Sequence, residues 1–175
     1  MADLETSLKA KIRSIRDYPK KGILFRDITP LLKDRASFRA CIAALAKQFS
    51  GEGIDYVAGI EARGFILGGA LAEKLGVGFV PIRKKGKLPY KKVSVDYELE
   101  YGKGTMEAHE DAVEKGSRVL IADDLLATGG TAKASGRLIQ KMGAEIAGYA
   151  FLVELSDLKG REKLNGSRII SLVKY

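Results

Sequence analysis

The residues best able to do chemistry lie in one run, 119–131, VLIADDLLATGGT. Four apolar residues deliver two adjacent carboxylates, Asp123 and Asp124, to the end of a strand. The short loop of Ala127, Thr128, Gly129, Gly130 and Thr131 then opens a helix. The backbone N–H groups of such a turn, with the helix dipole behind them, form an anion site shaped for a phosphate. Gly129 and Gly130 permit the conformations and the close approach, while Thr128 and Thr131 add hydroxyl donors. Adjacent strand residues face opposite ways, so both aspartates reach one ligand only if the chain has begun to turn. Two vicinal hydroxyls each need an acceptor, so a carboxylate pair beside a phosphate cradle matches a ribose 5-phosphate. A strand, an acidic cap and a glycine turn would account for a lone DD or GG, but not for the whole run. A nucleoside triphosphate site would need GxxxxGK[ST], and a dinucleotide site needs GxGxxG after a strand; neither occurs.

Glu61, Ala62, Arg63 and Gly64 make a second turn between a strand and a helix. Its two readings are an anion-binding turn with Arg63 as a fork-shaped phosphate donor, and a capped helix start with a surface arginine. Residues 83–92, RKKGKLPYKK, carry six basic side chains and no acidic one. They read as a solvated or nuclear-targeting charge run, as a nucleic-acid arm, or as a mobile lid for pyrophosphate. The arm would want interleaved aromatics and has only Tyr90. His109 and Cys41 read as structural, and no His/Cys cluster has metal-ligand spacing.

These turns need elements to hold them. Leu4, Leu8, Ile12 and Ile15 predict an amphipathic helix, and residues 18–32 a loop broken by Pro19, Gly22 and Pro30. Phe38, Ile42, Leu45, Ala46 and Phe49 form another helical stripe. Short apolar runs then alternate with helices: strands at 56–60, 79–82, 118–122, 146–153 and 169–173, with helices ending at Gly76 and at Gly143. Continuous apolar strands separated by helices predict an α/β fold, a parallel sheet of about five strands with helices on both faces. Such sheets bind ligands beyond the carboxyl ends of their strands, which points to 61–64 and 123–131. Val93, Val95, Tyr97, Leu99 and Tyr101 alternate with polar residues, predicting a hairpin that projects from the sheet.

Length and charge bound the rest. The 175 residues, 46% hydrophobic and 30% charged, suit one domain over 1–175 that buries about 68–70% of its unfolded surface. No apolar stretch approaches the roughly 18 residues of a membrane span, and the first residues lack the apolar core of a secretory signal. One cysteine fits a reducing, cytoplasmic setting. Taking the six cations of 83–92 from the net +8 leaves +2, so the basic charge is local. That favours pyrophosphate over nucleic acid or membrane as its partner.

The 119–131 run resembles the 5-phosphoribosyl 1-pyrophosphate (PRPP) motif of the type I phosphoribosyltransferases. FRDITPLL (25–32), EARGF (61–65), IRKKGKLP (82–89), LEYG (99–102) and VELSDLKGREKL (153–164) carry the resemblance over almost the entire chain, toward the members that use adenine. It implies the type I fold with a small N-terminal hood over the base (1–34) and a flexible hairpin lid (83–104). It implies conversion of adenine and PRPP to AMP and pyrophosphate through an oxocarbenium-like state, in a homodimer. Mg²⁺ would enter through the pyrophosphate and water, with no direct protein ligand. The implied roles are Glu100 as acid/base toward the purine, Tyr101 at the lid, and Leu24, Phe25 and Arg26 around adenine. Asp123 and Asp124 hold the diol and 127–131 the 5-phosphate. The pyrophosphate falls to Glu61, Ala62, Arg63, Arg83, Lys84 and Lys87, the 61–64 turn often having an unusual peptide conformation. A PRPP-binding regulator of nucleic acid, and a transferase for hypoxanthine, guanine or orotate, are the competing readings.

Overall fold

A computed structural model of the chain describes residues 2–98 and 103–175. Helix α1 (Ala2–Lys9) leads into an antiparallel pair, β1 (Arg13–Arg16) and β2 (Leu24–Asp27), followed by α2 (Thr29–Lys33) and α3 (Arg35–Phe49). The central unit is β3 (Tyr56–Ile60), α4 (Arg63–Leu75) and β4 (Gly78–Lys84). A hairpin of β5 (Lys92–Glu98) and β6 (Lys103–His109) comes next. Then follow β7 (Arg118–Leu126), α5 (Gly130–Lys141), β8 (Glu145–Glu154), two short 3-10 turns and β9 (Ile169–Lys174).

Strands β4-β3-β7-β8-β9 form the five-stranded parallel core, in that order. Both of its faces are dry. Leu120 and Val57 point to a cluster with Leu8, Leu45, Phe49, Leu67 and Leu71 of α1, α3 and α4. Their neighbours Val119, Ile121 and Ala58 point to the opposite cluster, with Leu138 and Ile139 of α5. This period-2 split of unbroken apolar runs is what a sheet covered on both sides requires. Asp34 caps α3 by accepting the Ser37 N–H at 2.9 Å, and Gly76 ends α4 at φ 72°. Cys41, on α3, is fully buried, and burial pushes its thiol up to about 12.

Three local expectations change. The first helix stops at Lys9: Ile12 is buried beyond it, and Ile15 lies in β1 opposite Phe25. Cross-strand pairing overrides the helical spacing there. The stretch 18–32 is no plain loop, since it contains β2 and the start of α2. Asp27 makes the junction by accepting the Thr29 N–H at 2.9 Å, an Asx turn. The hairpin does not simply project: β6 pairs antiparallel with β4 at Arg83↔Glu107 and Lys84↔Met106, making the sheet seven-stranded. Its residues Val95, Met106 and Ala108 enter the core.

Candidate active site

The two anion-shaped turns follow neighbouring parallel strands, β3 and β7. Helix α4 leaves β3 toward one face of the sheet, while α5 leaves β7 toward the other. Where successive helices diverge in this way a crevice opens at the strand ends. Glycines let its walls close up. A Cβ on Gly64 would stand 2.8 Å from Asp123 Oδ1 and 2.9 Å from Ala122 O, so α4 begins hard against β7. On the other side Gly129, at φ 76°, is the N-cap of α5. A Cβ there would meet Gly160 O at 2.4 Å, and one on Gly160 would meet Ala127 O at 2.2 Å. The 127–131 turn is thus backed by direct backbone contact with the segment after β8.

Residues Asp123, Ala127, Thr128, Gly129, Gly130 and Thr131 line a small cavity of about 90 Å³ at this turn. The chain does not turn at the aspartates. β7 continues to Leu126, so the two carboxyls leave a strand, and it is the Asp123 side chain folding back toward Asp124, not a turn of the chain, that brings them close enough to act on each other. Asp123 Oδ1 bends back to accept the Asp124 N–H at 2.8 Å. Asp124 is buried, with Arg63 Nε 2.9 Å from its Oδ2 as an ion pair. The pair is poorly aligned for a hydrogen bond, and among the described residues that oxygen has no hydrogen-bond partner. Burial drives both carboxyls above their ordinary range. Asp124's charge pushes Asp123 further up, and the Arg63 guanidinium holds Asp124 back.

Arg63 also faces the ring of Phe25, with Cζ 5.2 Å from its centroid, while Tyr18 packs edge-on against the same ring at 5.2 Å. β2 therefore brings Phe25 to the arginine that meets Asp124. Leu24 is 43% exposed beside it, and Arg26 stacks on Tyr175. Asp27 holds the same junction from below. The Thr29 N–H and hydroxyl keep its carboxyl below the usual range, and Arg13 and Arg63 reinforce this.

The Glu61–Ala62 peptide is cis. Glu61 ties this turn to the basic segment, since its Oε2 accepts from Arg83 Nε at 3.0 Å and from the Lys84 N–H at 3.2 Å. Arg83 also donates to Lys87 O at 3.0 Å. A second carboxylate, Glu107, 2% exposed, accepts the Gly86 N–H at 3.0 Å and meets Lys92 Nζ at 3.3 Å. Lys84 and Lys87 stay exposed. The hairpin leans over the 127–131 turn: Glu98 O lies 3.6 Å from a Cβ position on Gly130, and Lys141 Nζ donates to Ser94 O at 3.0 Å. Glu100 and Tyr101 lie outside the described residues.

The structure thus gathers Phe25, Arg63, Asp123, Asp124 and the 127–131 turn at one crevice, with Glu61, Arg83 and Lys84 joined at its edge. Sequence reasoning missed Asp27, Glu107 and Gly160. Only Asp27 carried a local signal, the D-x-T pattern of an Asx turn; the others act through contacts between distant segments.

The phosphoribosyl transferase domain family matches residues 27–170. An adenine phosphoribosyltransferase of Methylococcus capsulatus is 60% identical over 168 residues, covering 96% of this chain and 98% of that protein. The crystal structure of the Thermoanaerobacter pseudethanolicus adenine phosphoribosyltransferase superposes with a TM-score of 0.94 at 54% identity, covering 97% and 99% of the two chains. That of Saccharomyces cerevisiae, complexed with adenine and an imino-altritol bisphosphate, gives 0.92 at 41% identity, covering 98% and 99%.

Proposed function

The chain belongs to the phosphoribosyltransferase family, among its adenine-using members, and on that footing we propose how its own residues convert adenine and PRPP to AMP and pyrophosphate. The reaction exchanges the pyrophosphate on the ribose anomeric carbon for a purine nitrogen. As the C–O bond breaks ahead of the new C–N bond, the ribose becomes oxocarbenium-like and negative charge grows on the departing pyrophosphate. The protein's work is to position two substrates and stabilise that charge.

The N–H groups and hydroxyls of Ala127, Thr128, Gly129, Gly130 and Thr131 hold the 5-phosphate, with the α5 dipole behind them. Asp123 and Asp124 accept from the two ribose hydroxyls. The Asp124 oxygen that carries no hydrogen bond among the described residues is ready to take one. Arg63, the Glu61-Ala62 turn, Arg83, Lys84 and Lys87 receive the pyrophosphate. Arg63 and Arg83 turn to it from their carboxylate partners Asp124 and Glu61. Phe25 stacks on the adenine, whose edge is read by backbone groups of Leu24 and Arg26. Residues 1–34 form the hood over the base, and 83–104 the lid. In the lid Glu100 exchanges the purine proton and Tyr101 closes over the site.

Mg²⁺ fits this donor set as an ion carried in by PRPP. Among the described residues no group of three or more His, Cys, Asp or Glu could hold a metal, and Asp124 and Glu61 are paired with Arg63 and Arg83. When bound, the ion neutralises pyrophosphate through that group's own oxygens and water. We also propose a homodimer in the cytoplasm, with neither nucleic acid nor membrane as a partner. Among the described residues no helix is long and apolar enough to cross a membrane.

One observation carries the reading: Arg63 stands between the Phe25 ring and the Asp124 carboxylate, joining base, ribose and pyrophosphate positions at one side chain. The test supplies PRPP and Mg²⁺ with adenine, hypoxanthine, guanine or orotate in turn and measures nucleotide formed. AMP from adenine alone is expected, and no product with any base would favour a PRPP-binding regulator. In the same assay Glu100→Gln should lower kcat roughly 100-fold; an unchanged kcat would remove Glu100 from proton transfer.

A further inference from the structure

We infer that Tyr175 is a positioning residue for base recognition, acting through Arg26; this rests on the assignment of β2 to adenine. Arg26 sets its guanidinium carbon 3.6 Å from the centre of the Tyr175 ring, a stacking distance. Its Nη1 donates to Ser14 Oγ across the β1–β2 pair, while its buried Nε has no hydrogen-bond partner among the described residues. With that nitrogen unmatched, the aromatic face and the single Ser14 bond together fix the plane of the side chain. The residue carrying the ring is pinned through its backbone. The Tyr175 N–H donates to Glu154 O at 2.9 Å, and its carbonyl accepts the Ser156 N–H at 2.8 Å. Lys9 Nζ also approaches the ring, at 5.3 Å, but is paired with Glu5 at 2.9 Å, so Arg26 is the cation in stacking contact.

The anchor reaches further. The Glu154 carboxylate grips Arg161 in a fork at 2.6 and 2.8 Å. Arg161 follows Gly160, the glycine that backs the phosphate turn at Ala127. Burial raises the Glu154 carboxyl, but the Arg161 fork, the Ser171 hydroxyl and the charge of Lys174 together outweigh it, and the net position is below the ordinary value. Tyr175 therefore fixes the β2 strand to the same strand end that supports the 5-phosphate cradle. Base and phosphate are held at a set separation by a link that touches neither.

The experiment varies adenine and PRPP separately in steady-state assays of Tyr175→Leu, Tyr175→Phe and Arg26→Ala. Tyr175→Leu keeps bulk but loses the aromatic face, and should raise the adenine KM about tenfold. Its PRPP KM and kcat should stay within about twofold, and Tyr175→Phe should restore the wild-type adenine KM. A merely structural tyrosine would shift both substrates together with the thermal midpoint. The double variant Arg26→Ala with Tyr175→Leu should be no worse for adenine than Arg26→Ala alone. If Tyr175→Leu does not fold, Arg26→Lys, which keeps the charge and loses the flat stacking plane, should show the same adenine-selective rise. An unchanged adenine KM in Tyr175→Leu, or in Arg26→Lys where that variant stands in for it, beside a raised one in Arg26→Ala, overturns the inference alone. An unchanged adenine KM in Arg26→Ala likewise overturns the inference alone, whereas an unchanged adenine KM in Phe25→Ala overturns the assignment of β2 as well.

Discussion

Asp123 and Asp124 hold their carboxyls where water is scarce, and this makes the site costly to the free protein. Both are raised above the ordinary 3.8, burial being the main cause. A folded-state value above the unfolded one means that the folded chain binds more protons in the window between them. Stability therefore falls as pH rises from 3.8 through that window, and the cost persists at neutral pH. Asp123→Asn keeps the oxygen that accepts the Asp124 N–H and removes the charge. It should raise Tm at pH 7 by about 2–4 °C, an advantage that shrinks toward pH 4, measured by calorimetry across pH. Replacing both aspartates by asparagine should raise the PRPP KM at least tenfold, since hydrogen bonds to charged groups contribute about 1.5–3 kcal/mol each. Unaltered PRPP kinetics would sink the diol assignment.

The 127–131 turn owes its shape to an element outside its own sequence. Gly129 and Gly160 approach backbone to backbone, and the segment bearing Gly160 is anchored by the Glu154–Arg161 fork. Gly160→Ala adds a methyl that would meet Ala127 O at 2.2 Å, so the two segments must part. A loss of about 1–3 kcal/mol follows from such overpacking. A roughly tenfold rise in PRPP KM should accompany it, with a smaller change for adenine. This contact also marks how far the chain could be read in advance. Strands β3 and β7 and helices α4 and α5 were legible because each writes its own period and stop, as at Gly76 and Gly143. Strand β2 was not, being four residues of mixed polarity that exist as a strand only opposite β1. The docking of β6 on β4 was hidden for the same reason: the register is set by a partner, not by local pattern. At the site, the two turns announced themselves, whereas Glu107 and Gly160 have meaning only once distant segments meet.

Charge is unevenly spread over the molecule. The basic loop is held at both ends by buried or half-buried carboxylates, Glu61 and Glu107, while Lys84 and Lys87 reach solvent. A field from exposed lysines is screened over about 30 Å at 0.01 M salt but only about 8 Å at 0.15 M. Accordingly kcat/KM for PRPP should fall severalfold as salt is raised across that range, and changing Lys84, Lys85 and Lys87 together to Gln should flatten the dependence. A slope that survives the triple change would place the steering charge elsewhere. The single cysteine has an unrelated use. Cys41 is sealed inside the face covered by α3, with its thiol pushed up to about 12, so alkylating reagents find no target in the native fold. A cysteine introduced in place of Lys87 would then be the sole labelling position, and a fluorophore there would test whether the basic loop moves during turnover. In the unaltered protein, modification of Cys41 would count molecules that have opened their interior, a chemical clock for unfolding that needs no engineered probe.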